Sequence, residues 1–224
     1  MQVSTKDWTA AEDGAREGVG FVPAATRDSA ATWMQEHGVK LVGESSADLS
    51  TSNLNAINES VAKIPSSVMD EINQAGGGLE VIRGNGVSEH PALSNLKGVP
   101  VSPYHQGATW DMTAGAGGAP GRPTVIVGNK VVGDEYHGCS NIVIHELAHT
   151  YDNCHQGGSI SQSAEWKNLH KQIQWPGAYQ QDRPEEAFAE SMAKYCQSPL
   201  MRASLPPAVR DYFHKTLGGT FAKK

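Results

Sequence analysis

No stretch of the 224 residues approaches the roughly 18 apolar residues a membrane-spanning helix needs, so no membrane span is expected. Cysteine is scarce, and three residues cannot build a disulfide framework. Cys139 and Cys154 flank a segment expected to be one helix. At 1.5 Å per residue that helix would hold them about 22 Å apart, too far to bond. One bridge involving Cys196 stays open. Basic residues are in the minority, 18 Lys and Arg against 24 Asp and Glu, with no basic cluster. That balance excludes nucleic acid as the expected partner. The first residues, Met1 to Trp8, hold no apolar run like the core of a signal peptide. An exported protein with this start would use another route or would have lost its leader.

What the chain does have is enough apolar content, 38%, for a core, and a length suited to one domain or a domain with a small helical annex. Residues 1–27 are polar and aperiodic and read as a loosely ordered leader. Residues 28–77 read as an N-terminal helical subdomain. Within it a short helix is expected over 28–37, capped by Asp28 or Ser29. A second is expected over 52–64 on the spacing of Leu54, Ile57, Val61 and Ile64. Pro65 opens a third, with Val68, Met69 and Ile72 inward and Gly76-Gly77-Gly78 as its stop. Residues 78–224 read as a second domain of strands and helices. Leu79–Arg83 and Thr124–Val127 are expected strands, and Gly128-Asn129 is placed to turn the second into a strand over Lys130-Val131-Val132. The stretch Ala114–Gly121 lacks the Gly-Lys-Ser/Thr of a phosphate loop and reads as a flexible loop. Helices are expected over about 140–152, 163–173, 184–197 and 206–217.

One motif carries chemistry, His145-Glu-Leu-Ala-His149. Residues four apart on a helix are neighbours, so both imidazoles project from one face and can share a metal. Glu146 lies about 100° further round, where it can reach a metal-bound water. Val143, Ile144, Leu147, Ala148 and Tyr151 form an apolar stripe, with His145, His149 and Asp152 on the other face. Such a pattern arises by chance in about one chain in a hundred at average residue usage, and the helical context raises it above that background.

A catalytic zinc needs a third protein ligand and an open fourth position. His155, ten residues after His145, has metzincin-like spacing, but Asp152 stands where that pattern turns on glycine. Glutamates of the segment Asp182-Arg-Pro-Glu-Glu-Ala-Phe-Ala-Glu190 compete with it. Asp182 and Glu185 read as a capping box around Pro184. Glu186 and Glu190 share a helix face, so one can ligate while the other accepts a hydrogen bond from a ligand histidine. The remaining histidines, His37, His90, His105, His170 and His214, stand alone and read as surface residues. His137 is close enough to the active-site helix to line a cleft. Trp8, Trp33, Trp166 and Trp175 read as packing residues.

From His90-Pro-Ala-Leu-Ser-Asn-Leu-Lys-Gly98 through Gly107-Ala-Thr-Trp110-Asp111, Gly138-Cys-Ser-Asn-Ile-Val-Ile-His-Glu-Leu-Ala-His-Thr-Tyr-Asp152, Tyr179 and Glu186-Ala-Phe-Ala-Glu190, the chain resembles one family. It is the anthrax lethal factor-type zinc metalloprotease domain, which includes the Pro-Pro endopeptidases. The resemblance covers roughly residues 78–198 and departs at His137-Gly-Cys-Ser140, where members have Gly-His-Gly-Ser. It implies a mostly helical α+β, zincin-like fold with a small sheet and an HExxH active-site helix. It implies one catalytic Zn2+ on His145, His149 and Glu186, with Glu146 as general base. It also implies that Tyr179 stabilises the reaction intermediate, and on this reading Asp152 and Glu190 orient the histidines. The strand Thr124–Gly128 would be the edge to which a peptide substrate adds. A secreted or translocated bacterial effector, acting on a protein or peptide and with an inhibitor or immunity partner unknown, is the role such relatives suggest. Two other readings stand beside it: a metzincin-like protease that uses His155, and a binding module that keeps zinc without cleaving. Glu146 weighs against the second, because a structural zinc site has no use for a general base.

Overall fold

The computed structural model describes residues 21–101, 107–131 and 139–221. The leader expected over 1–27 lies almost entirely outside them, as do Trp8, His105 and His137. The chain forms α1 (Arg27–Glu36), β1 (Val39–Leu41), α2 (Thr51–Ala62), α3 (Ser66–Gln74), β2 (Leu79–Ile82), β3 (Gly115–Ala116) and β4 (Thr124–Val127). Six helices follow: α4 (Ile142–Cys154), α5 (Ala164–Gln172), α6 (Ala178–Asp182), α7 (Pro184–Gln197), α8 (Pro199–Ala203) and α9 (Pro207–Phe221). Among the described residues, no helix is long and apolar enough to cross a membrane.

The sheet runs in the order β1-β2-β4-β3. β1, β2 and β4 are parallel, with Val39 opposite Leu79 and Leu79 opposite Thr124, while β3 returns antiparallel with Gly115 opposite Ile126. Every residue of β4 is buried, as a strand covered on both faces requires. Leu79, Val81 and Ile126 join the main helical core, while Ile82, Val125 and Val127 pack with Val87, Leu93 and Trp110 on the other face. Residues 28–77 contribute β1 to this sheet, and Leu54, Ile57 and Ile72 to the same core.

Three expectations change here. Thr124–Val127 is an inner strand, because the glycine-rich stretch forms β3 outside it and becomes the edge. Gly128-Asn129 does turn the chain, as part of a 3-10 turn over Gly128–Lys130, but Lys130 does not begin a strand, and Val132 lies outside the described residues. Cys139, Cys154 and Cys196 are all free thiols.

α4 and α7 pack against each other along their length and place the chemistry. Asn141 caps α4, its side chain accepting from the Ile144 amide at 3.1 Å and donating to Gln197 Oε1 at 2.7 Å and to Ser60 Oγ at 3.0 Å. A cap of this kind contributes about 1 kcal/mol and here also ties α4 to α2 and α7. Trp166 is fully buried among Phe188, Tyr212, Phe213 and Trp175, and its indole N–H donates to the Pro184 carbonyl at 2.8 Å. It therefore holds the first turn of α7, two residues before Glu186. Truncating such a side chain to alanine costs about 3–5 kcal/mol.

Candidate active site

The stripe Val143, Ile144, Leu147 and Ala148 is fully buried, which turns the opposite face of α4 toward an open cleft of about 320 Å³. His145, Glu146, His149, Tyr179 and Glu186 all line that cleft. His145 Nε2 lies 3.1 Å from His149 Nε2, and Glu186 Oε2 lies 3.4 Å from the first and 3.3 Å from the second. Among the described residues these three form the one group of His, Cys, Asp and Glu donors close enough to share an ion. A tetrahedral zinc with donors at about 2.0–2.1 Å needs them roughly 3.3–3.4 Å apart, which this triangle matches. Two imidazole nitrogens and a carboxylate oxygen facing one another repel unless a proton or a cation sits between them. The donor set therefore fits zinc.

The electrostatics point the same way. Burial opposes a charged Glu186, but hydrogen bonds from His145 and His149 outweigh it and hold the carboxyl well below the usual range. Burial likewise opposes a protonated His145. The carboxylates of Glu186 and Glu190, with Glu146 nearby, outweigh that and raise its pKa to about 10. This is a site built to hold positive charge. Tyr179 donates from its hydroxyl to Glu186 Oε1 at 2.8 Å, and burial followed by the Glu186 charge pushes its phenol upward, so it keeps its proton. The Arg183 guanidinium lies 5.4 Å from the Tyr179 ring centre.

The glutamate partners divide. Glu190 takes the amide N–H of Ser140 on both oxygens, at 3.2 and 3.3 Å, and Lys194 on Oε1 at 3.3 Å. Its Oε2 faces His145 Nδ1 at 3.6 Å, the position expected of a group that orients the imidazole. Asp152 requires a correction. Its oxygens accept from the Ser161 amide and hydroxyl, both at 2.6 Å, so it anchors the turn after α4 rather than a histidine. Glu185 forms no capping box: Arg183 is the N-cap of α7 without a side-chain bond, and its Nε donates to Glu185 Oε1 at 2.8 Å.

His155 faces away. Its Nδ1 meets Glu71 Oε1 on α3 at 2.7 Å, so the metzincin-like ligand set does not form. Two histidines expected on the surface are buried. His90 accepts from the Ala92 amide on Nδ1, which leaves Nε2 to donate to Glu80 Oε2 at 2.8 Å. His170 donates from Nε2 to the Gln180 carbonyl at 2.8 Å, beneath Trp175.

Sequence reasoning missed the glycines of β3. A Cβ on Gly115 would lie 2.5 Å from Glu146 Cγ, and one on Gly117 would run into His149 Cβ. The edge strand and the residue just past it lie directly on Glu146 and His149, and only glycine permits that approach. The alternation Gly115-Ala-Gly117 was the available signal. Trp110 and Met112, with Met112 46% exposed, form the facing apolar wall.

The family described as anthrax toxin lethal factor, N- and C-terminal domain, matches residues 31–209. The chain is 28% identical over 174 residues to a Pro-Pro endopeptidase of Paenibacillus alvei, covering 74% of this chain and 76% of that one. A solved Pro-Pro endopeptidase structure from Paenibacillus alvei superposes with a TM-score of 0.71 at 26% identity, over 82% of this chain and 99% of that one. The mostly helical α+β, zincin-like fold is thus shared with a known peptidase. The chain belongs to the anthrax toxin lethal factor family of metallopeptidases.

Proposed function

We propose that the protein is a zinc-dependent endopeptidase in which His145, His149 and Glu186 hold the metal and Glu146 is the general base. The observation that carries this reading is the triangle of His145 Nε2, His149 Nε2 and Glu186 Oε2, with sides of 3.1 to 3.4 Å, on the wall of an open cleft. Three protein donors facing open space suit a catalytic site, whereas structural zinc is closed by four. Zinc supplies at such a site a Lewis acid that polarises a carbonyl and acidifies water.

The side chains do the rest. Glu146, buried beside Gly115, takes a proton from the attacking water and returns it to the leaving amine. Tyr179, held in its protonated form, turns its one O–H from Glu186 to the oxyanion that develops. Glu190 and Ser140 fix the His145 ring, and Arg183 supports the Tyr179 ring. The substrate chain adds to β3, the sheet's outer strand, between α4 and the wall formed by Trp110 and Met112.

The names of the relatives direct the first choice of substrate to Pro-Pro bonds. An apolar wall carrying an indole suits proline rings. Peptides containing a Pro-Pro bond should be cut there, and a chelator should abolish the cut. Cleavage only at other bonds would retain the endopeptidase and reject the proline preference. Action outside the producing cell, as a secreted or delivered enzyme, rests on the family alone, and recovery of the protein from culture medium tests it.

A further inference from the structure

Two residues past β3, the glycine-rich segment is hydrogen-bonded to α4 at Gly118. Its amide donates to Thr150 Oγ1 at 2.7 Å, and its carbonyl accepts from Asn153 Nδ2 at 3.1 Å. Thr150 directly follows His149 and is completely buried. Its hydroxyl donates to the Glu146 carbonyl at 3.1 Å and lies 2.5 Å from Thr124 Oγ1 on β4. A hydroxyl has one proton and two lone pairs. With the proton directed to Glu146, both lone pairs are taken by the Gly118 amide and the Thr124 hydroxyl, so the group is fully used. One buried oxygen thus joins α4, β4 and the end of the edge strand.

This junction directly follows the residues whose spacing decides alignment. Upstream of Gly118, Gly115 lies against Glu146 and Gly117 against His149. Any slip of the strand relative to α4 moves the backbone to which a substrate would pair with respect to the general base. Two residues on α4 hold both polar groups of Gly118 and so oppose that slip, in addition to the pairing of β3 with β4.

We propose that Thr150, assisted by Asn153, is a positioning residue that sets the edge strand against α4, and so aligns an extended peptide with Glu146. The inference rests on the endopeptidase reading and on the pairing of substrate with β3. It makes Thr150 act through Gly118 and not on the reacting atoms.

Thr150→Val keeps the shape of the side chain and removes its hydroxyl. Wild type, Thr150→Val and Thr150→Ser are compared on a peptide long enough to span the edge strand and on its truncation to the residues around the scissile bond. Zinc content is measured in each protein. The expected result is wild-type zinc content in all three and, for Thr150→Val, a loss of about tenfold or more in kcat/KM on the long peptide. The loss should be much smaller on the short one, and Thr150→Ser should restore the long-peptide rate. Hydrogen exchange at the Gly118 amide should quicken in Thr150→Val and return to normal in Thr150→Ser.

Equal losses on both peptides would make Thr150 merely structural and overturn the inference. So would an unchanged long-peptide rate or an unchanged Gly118 exchange rate. A zinc-loaded wild type that cuts neither peptide would remove the endopeptidase reading itself, and this inference with it. Should Thr150→Val not fold, Asn153→Ala breaks the other half of the attachment, and the same dependence on peptide length is expected.

Discussion

His145 Nδ1 is buried, has no hydrogen bond, and faces Glu190 Oε2 at 3.6 Å. A buried ring nitrogen aimed at a carboxylate defines which nitrogen is left for a metal, because a proton held at Nδ1 leaves the lone pair on Nε2. Glu190→Gln should therefore weaken zinc binding by about 10- to 100-fold, read by competition with a calibrated chelator. Unchanged affinity would leave Glu190 with its Ser140 and Lys194 contacts alone.

Glu186 and His155 separate cleanly. Glu186→Ala removes one corner of the donor triangle and should leave the purified protein without stoichiometric zinc. His155→Ala breaks a half-exposed pair with Glu71, worth at most about 1 kcal/mol, and should leave the zinc content intact. Elemental analysis of the two variants gives the answer, and retention of zinc by Glu186→Ala would refute the ligand assignment.

Tyr179→Phe should lower kcat by about 10²- to 10³-fold with little change in KM or zinc content. The hydroxyl now donates to Glu186 Oε1, whereas Oε2 is the oxygen that faces the two imidazoles, so loss of the hydroxyl leaves the donor triangle in place. A change confined to KM would show that Tyr179 binds substrate without acting on the transition state.

Gly115→Ala tests how closely the edge strand approaches the base. The added carbon would lie 2.5 Å from Glu146 Cγ, so strand or carboxylate must move. A displacement of about 1 Å costs about 10²-fold, and we expect that loss in kcat with zinc retained. Normal turnover would mean that Glu146 can shift without consequence.

In the zinc-free protein the pH dependence follows from two opposite shifts. Glu186 is depressed, so its contribution to stability is present above its unfolded value of 4.5 and is lost as pH falls. His145 is raised from 6.5 to about 10, so its contribution is complete below 6.5 and is lost as pH rises toward 10. Zinc must displace the His145 proton, so titration calorimetry in buffers of different ionisation enthalpy should show proton release at pH 7 to 8. No proton release would contradict a protonated His145.

Much of this site was legible because it depends on local spacing. His145 and His149 fall on one helical face by period alone, and Val143, Ile144, Leu147 and Ala148 mark the opposite face. Glu186 and Glu190 fall on one helix face by the same period, while the choice of Glu186 and the role of Tyr179 came from the family resemblance, since nothing local relates α7 to α4. What stayed hidden depends on distant partners. Val39–Leu41 has three residues, too few for a strand pattern, and forms by pairing with β2. Gly115-Ala116 carries little strand propensity and becomes a strand by pairing with β4, while the missing side chain of Gly115 lets it lie on α4. Buried His90 depends on Glu80, ten residues away, and Asp152 on Ser161 in the next turn. Such partners leave no periodic trace.

Whether Glu146 activates a zinc-dependent peptide cleavage is settled by digesting a diverse peptide library, read by mass spectrometry, with the zinc-loaded wild type beside Glu146→Ala. Fragments are expected with the wild type alone, lost on chelation and restored by zinc, with Glu146→Ala folded, zinc-bound and inactive. Equal cleavage by Glu146→Ala, or fragments that survive removal of the metal, would contradict this mechanism.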